Sequence, residues 1–86
     1  MASIEKIWKK ICEKPYRSDI TMQELEKVLL SCGFELARRV SSHRQYKHPK
    51  VENIITIPAH SDKSCVLPVY VKLTYEIIMN NELNKF

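Results

Sequence analysis

Glycine is almost absent from this chain, which has one glycine, Gly33, in 86 residues. Glycine-rich loops that hold dinucleotides or nucleoside triphosphates need several residues without side chains, so the composition excludes both kinds of loop. Long apolar runs are also lacking, and none approaches the ~18–20 residues that span a bilayer. Lysines and a glutamate interrupt the apolar residues of the N-terminus. We therefore expect no signal peptide, no contact with a membrane and a cytoplasmic location.

Paired cysteines are lacking as well, because Cys12, Cys32 and Cys65 are odd in number and form no CxxC motif. This spacing excludes a zinc ribbon and a thioredoxin-like site, and favours buried, reduced thiols in a reducing compartment. The three histidines match no zinc-binding spacing. No close pair of carboxylates stands beside the basic residues to hold magnesium. The sequence thus predicts no metal site and no small-molecule cofactor.

Two amphipathic helices are predicted in the first third of the chain. The first follows Ser3 as N-cap, carries the apolar stripe Ile4, Ile7, Trp8 and Ile11, and must end before Pro15. The second begins with Thr21 and Glu24 at the spacing of a capping box. It ends at Gly33, where a left-handed C-cap is favoured, with Phe34 as the apolar residue that follows.

Three short strands and a last helix are predicted from there on. Alternating or β-branched residues predict strands over 34–40, 42–48 and 53–58. In the first of these strands, Phe34 and Leu36 lie on one face. Pro68 is suited to the first turn of a helix containing Tyr70, Leu73, Ile77 and Ile78. Short connections favour an antiparallel meander, with helices on one face and the other face open to water. We expect one α+β domain, with a helical extension and linker over 1–20, a core over 21–80, and a tail that is frayed from Asn80 onward.

The positive charge is concentrated in the first predicted hairpin. The whole chain carries +4, yet the window between Leu36 and Val51 has five basic and no acidic residues: Arg38, Arg39, Arg44, Lys47 and Lys50. Such a cluster is typical of a surface that binds phosphates. The alternative is a solvated hairpin whose charges protect its edges from aggregation. Aromatic residues make up only 8% of the chain, which gives little support to a base-stacking platform.

His43 lies within this basic window. Strand alternation puts His43, Gln45 and Lys47 on one face and Tyr46 on the other. Because Tyr46 is the apolar residue of that strand, the His43 face is expected to point to solvent or to a ligand. Neighbouring cations favour a neutral imidazole, which is suited to act as a general base on an RNA 2′-hydroxyl. The alternative is an ordinary surface histidine.

The run from Ser41 to Pro49, Ser-Ser-His-Arg-Gln-Tyr-Lys-His-Pro, followed by Ile-Ile-Thr-Ile-Pro over 54–58, resembles the core of the HicA family of toxin–antitoxin ribonucleases. The resemblance covers about residues 22–80, and the N-terminal helix lies outside it. It implies a fold similar to a double-stranded-RNA-binding domain, with a three-stranded antiparallel sheet and helices on one face. In this family a glycine usually precedes the Ser-His pair, whereas this chain has Ser41.

The resemblance implies that the chain is the toxin of a type II toxin–antitoxin system. Its activity would be metal-independent endonucleolytic cleavage of mRNA, and a HicB-like antitoxin would be its protein partner. The catalytic histidine of the family falls on His43. Residues expected to bind RNA around it are Arg39, Ser42, Gln45, Lys47 and Lys50. The alternative function is a non-catalytic RNA-binding or protein-interaction module of the same fold.

Overall fold

The computed structural model describes residues 3–40 and 42–84. Its elements are α1 (Ile4–Cys12), α2 (Met22–Ser31), β1 (Glu35–Val40), β2 (His43–His48), β3 (Val51–Pro58) and α3 (Pro68–Asn80). The strands form one antiparallel sheet in the order β1-β2-β3. This architecture confirms the predicted α+β fold and is consistent with a domain like those that bind double-stranded RNA. No helix within the described residues is long and apolar enough to cross a membrane.

The helix ends follow the capping signals in the sequence. Ser3 Oγ accepts a hydrogen bond from the backbone N–H of Lys6 at 3.3 Å. At the start of α2, Thr21 Oγ1 accepts from the Glu24 N–H at 3.2 Å, while Glu24 Oε1 accepts from the Thr21 N–H at 3.1 Å. These reciprocal bonds satisfy backbone donors that have no partner inside the helix.

Helix α2 ends in a left-handed turn at Gly33, whose φ is +99°. The Gly33 N–H donates to Leu30 O and the Phe34 N–H donates to Leu29 O, both at 3.1 Å. This pair of bonds is a Schellman motif, in which glycine adopts the positive φ without strain from a Cβ atom. The turn directs the chain from the helix into β1.

The core lies between one face of the sheet and the helices. Tyr46, Ile55 and Ile57 are the apolar sheet residues that are almost fully buried there. They pack with apolar residues that include Leu25, Val28 and Leu29 of α2 and Val71 and Ile78 of α3. None of the helices that the structure describes packs on the opposite face of the sheet, so the side chains of that face are available to a ligand.

The N-terminal helix belongs to this core. Ile7, Trp8 and Ile11 are buried, and the Trp8 ring stacks on Tyr75 of α3 with 5.8 Å between ring centroids. Lys10 Nζ also lies 2.9 Å from Glu24 Oε2 of α2. Helix α1 therefore extends the core across α2 and α3.

Four details differ from the sequence expectations. Leu36 is 39% exposed because β1 is an edge strand, and Leu73 of α3 is also 39% exposed because Val71, Thr74 and Ile78 form the buried face of that helix. Cys65 is exposed rather than buried. The expected frayed tail is wrong as far as Leu83, which is 4% exposed and whose N–H donates to Ile78 O at 2.9 Å. A turn with positive φ at Glu82 brings Leu83 back onto the core.

Candidate functional site

Strand β2 presents two chemically different faces, as its alternation predicts. His43 and Lys47 are exposed and Gln45 is half-buried, whereas Arg44 and Tyr46 are buried. We call the surface that bears His43, Gln45 and Lys47 the open face. Because β2 is the middle strand of the sheet, these side chains lie between those of β1 and β3.

Because of an irregularity in β1, the arginine on the open face is Arg38 and not Arg39, the residue expected from the sequence. The register shifts between Leu36 and Arg38, so that Arg38 is paired with Gln45 and Arg39 with Arg44. Directly paired residues of an antiparallel sheet share a face. Arg38 therefore lies on the open face, whereas Arg39, the residue selected from the sequence, is exposed on the other side near the sheet edge. A one-residue bulge has no strong sequence signal, which is why Arg38 was missed.

His43 is exposed. Its cross-strand neighbours are Val40 in β1 and Pro58 in β3. Within the part of the chain that the structure describes, no hydrogen bond or ion pair engages the imidazole. The backbone before it is held, since the Ser42 carbonyl accepts a hydrogen bond from the Ala59 N–H at 2.7 Å. Ser41, where the family usually has glycine, lies outside the described residues.

Arg44 does not contribute to the cationic surface. Its side chain is 2% exposed, with Nη1 3.3 Å from Glu26 Oε2 and Nη2 2.6 Å from Asp62 Oδ1. Burial alone would lower the pKa of Arg44, but the hydrogen bond and charge of Asp62, with a smaller contribution from Tyr46, raise it. The guanidinium thus stays charged, is neutralised by carboxylates inside the protein, and links β2 to α2 and to the 59–64 loop. Four of the five basic residues of the window remain for external anions.

Lys47 and Lys50 are exposed at the far end of β2 from His43. Lys47 Nζ lies 3.9 Å from Glu35 Oε2, its cross-strand neighbour. An exposed pair at this distance contributes little and can be replaced by a phosphate. Lys47 is four residue steps along the extended strand from His43, a distance of about 13 Å.

The His48 imidazole is held by contacts within the protein. Its Nδ1 accepts the Lys50 backbone N–H at 2.9 Å, which leaves the proton on Nε2, 3.1 Å from the Cys32 carbonyl oxygen. The Phe34 ring lies against it, with 5.0 Å between centroids. Both ring nitrogens are therefore occupied by the end of α2 and by the β2–β3 turn.

A shallow recess of about 330 Å³ lies at this end of the sheet. It is lined by Gly33, Glu35, Lys47, His48 and Pro49. Because it lies at the opposite end of β2 from His43, it does not enclose that imidazole. The candidate site is an open surface, which suits a large substrate better than a small metabolite.

His60 lies at the His43 end of the sheet, two residues beyond Pro58, and is exposed. The sequence pattern gave it no role, because only the register shows which residues of β3 stand beside His43. In residues 3–40 and 42–84 there is no group of three His, Cys, Asp or Glu side chains arranged to hold a metal ion.

The fold and this surface define a class: a small α+β domain with a fold like that of double-stranded-RNA-binding domains, and with an exposed histidine on an open sheet face that also bears Arg38 and Lys47. Residues 22–71, more than half of the chain, match the family model described as HicA toxin of bacterial toxin-antitoxin. The chain therefore belongs to the HicA toxin family, and membership implies a toxin with an antitoxin partner. No curated protein and no solved structure matches the chain.

Proposed function

We propose that this toxin is an endoribonuclease that cleaves mRNA in the cytoplasm, with His43 as its catalytic base and without a metal or other cofactor. The observation that supports this most is the exposed imidazole of His43 on the open face, with which no other described residue forms a hydrogen bond or ion pair. A general base must be able to reach its proton within hydrogen-bond distance. On an open sheet face, a polynucleotide can bring its 2′-hydroxyl to that position.

The reaction follows from the chemistry of RNA. Neutral His43 accepts the proton of a 2′-hydroxyl, and the 2′-oxygen attacks the adjacent phosphorus as the bond to the 5′-oxygen breaks. The products are a 2′,3′-cyclic phosphate and a 5′-hydroxyl end. Negative charge grows on the phosphoryl oxygens, so a nearby cation accelerates the step.

Arg38 is better placed than Lys47 to supply that cation. His43 is paired with Val40, so Arg38 is its diagonal neighbour across the two strands, at about 7–8 Å between backbones. A guanidinium can span that distance and bind a phosphate through two N–H groups. Lys47, farther along β2, and Lys50, in the turn after it, are suited to neighbouring phosphates, as is Ser42 on the His43 side. Gln45, opposite Arg38, is suited to hydrogen bonds with sugar or base.

The partner is proposed to be a HicB-like antitoxin that prevents RNA from reaching the open face. Covering this face would silence the toxin without changing its fold.

Expression in a bacterial host tests the proposed activity. Wild type is expected to arrest growth and to shorten cellular mRNA, whereas His43→Ala permits growth and leaves mRNA intact. Asn53→Ala removes another exposed side chain from the same sheet and is expected to behave as wild type. Equal growth arrest by wild type and His43→Ala would favour the alternative, a non-catalytic binding module.

A further inference from the structure

The end of β3 brings a second histidine to the His43 side of the sheet. Pro58 is paired with His43, and burial alternates regularly from Ile55 to His60, with odd-numbered residues buried and even-numbered residues outward. His60 lies two residues beyond the end of β3, and its exposure continues this alternation. Because the Ala59 N–H still bonds to the Ser42 carbonyl, the segment that carries His60 leaves the sheet next to the start of β2, where His43 lies.

The loop that carries His60 is fixed on both sides. On one side the buried Ala59 donates its N–H to Ser42 O at 2.7 Å. On the other side, Asp62 accepts from the Gln23 N–H through its backbone carbonyl at 2.9 Å and holds buried Arg44 through its carboxylate at 2.6 Å. His60 thus projects from a segment anchored to the residues that flank His43, which is the arrangement required of a catalytic side chain.

We propose that His60 is the general acid of the same reaction, donating a proton to the 5′-oxygen as it leaves. The inference rests on the proposed ribonuclease function and adds the second half of its chemistry. Neutral His43 takes the 2′-hydroxyl proton while protonated His60 gives its proton to the 5′-oxygen. One bond to phosphorus forms and one breaks, and the protons then return through solvent to restore both imidazoles.

The other candidates for this proton are less suitable. His48 lies on the opposite face of β2, and both of its ring nitrogens are already bonded. Lysine and arginine side chains release a proton near neutral pH far less readily than an imidazolium does. Of the described residues, His60 is the one imidazole besides His43 that faces outward at this end of the sheet.

A substrate with an altered leaving group tests the inference. The cleavage site of a short RNA is mapped with the wild-type protein, and the RNA is then made with sulfur in place of the bridging 5′-oxygen at that site. A thiolate leaves without protonation, so the modified RNA does not need a general acid. His60→Ala is expected to cleave the oxygen substrate about 10²–10³-fold more slowly than wild type. On the sulfur substrate its rate is expected to be close to that of wild type.

Matched variants separate the possible results. His43→Ala is expected to be slow on both substrates, and Lys63→Ala, which changes another exposed side chain of the same loop, to be normal on both. Circular dichroism and thermal midpoints establish that each variant is folded. An equal defect of His60→Ala on both substrates, or no defect on either, overturns the acid role of His60 alone. Absence of cleavage by wild type would overturn the ribonuclease function, and the role of His60 with it.

Discussion

The guanidinium of Arg44 lies 2.6 Å from the carboxylate of Asp62, so that a buried cation on β2 is tied to the loop that carries His60. Arg44 directly follows His43 in the chain, and its other contact, Glu26, comes from α2. A buried charge of this kind must be paired, because an uncompensated ion in a protein interior is strongly unfavourable. The pair therefore fixes the position of the loop relative to β2.

Removing the charge of Asp62 should destabilise the fold. Asp62→Asn leaves Arg44 with Glu26 as its remaining carboxylate, and we expect a loss of about 1–3 kcal/mol in the free energy of unfolding, measured with urea. Asp19→Asn is the matched control, because Asp19 also lies 2.6 Å from an arginine, Arg17, but that arginine is 34% exposed. Asp19→Asn should lose clearly less free energy of unfolding than Asp62→Asn. Equal losses in the two variants would contradict a special role for the buried arginine.

Gly33 and His48 should be energetically coupled. A Cβ atom at Gly33 would lie 2.9 Å from His48 Nε2, and φ is positive there. Gly33→Ala is therefore expected to destabilise by about 1–3 kcal/mol, through backbone strain and through displacement of the imidazole. In a His48→Ala background the second contribution disappears, so the same substitution should cost less. An identical loss in both backgrounds would show that no contact exists.

Stability should fall in alkaline solution because of Tyr46. Burial, reinforced by the charge of Glu26, raises the pKa of this phenol above its usual value of 10.0. Above pH 10.0, the phenol of Tyr46 loses its proton in the unfolded chain but keeps it in the folded chain. The folded state then binds more protons, and its stability decreases as pH rises, by about 1.4 kcal/mol per pH unit. Urea unfolding at about pH 9 and about pH 11 should show a larger loss for wild type than for Tyr46→Phe. Equal losses would contradict this.

Neighbouring arginines on β1 should differ in RNA binding. Arg38 and Arg39 are both exposed, but the register puts only Arg38 on the open face. In the His43→Ala background, which is expected to prevent cleavage, Arg38→Gln should weaken RNA binding and reduce the salt dependence of log K by about 0.7. Arg39→Gln should have a smaller effect. Fluorescence anisotropy over a salt series measures both, and a larger effect of Arg39→Gln would support the residue chosen from the sequence.

The parts of the fold that follow local rules could be predicted from the sequence. Ser3, the Thr21–Glu24 capping box and Gly33 determine helix ends through bonds spanning a few residues. Alternation in β2 placed His43 on the open face because a period of two needs no knowledge of distant contacts.

Features that depend on distant partners could not be predicted. Arg44 was counted as surface charge because its partners are distant in the sequence: Glu26 precedes it by 18 residues and Asp62 follows it by 18 residues. Arg38, and not the expected Arg39, lies on the open face because of a bulge that only the strand pairing reveals. The position of His60 beside His43 likewise depends on the β2–β3 register.

Cleavage of a labelled RNA by the purified protein in the presence of a metal chelator tests the central claim most directly. Wild type should produce fragments with 2′,3′-cyclic phosphate and 5′-hydroxyl ends, and His43→Ala, folded by circular dichroism, should produce none above background. Fragments released at the same rate by His43→Ala, or activity that requires an added divalent cation, would contradict catalysis by His43 without a metal.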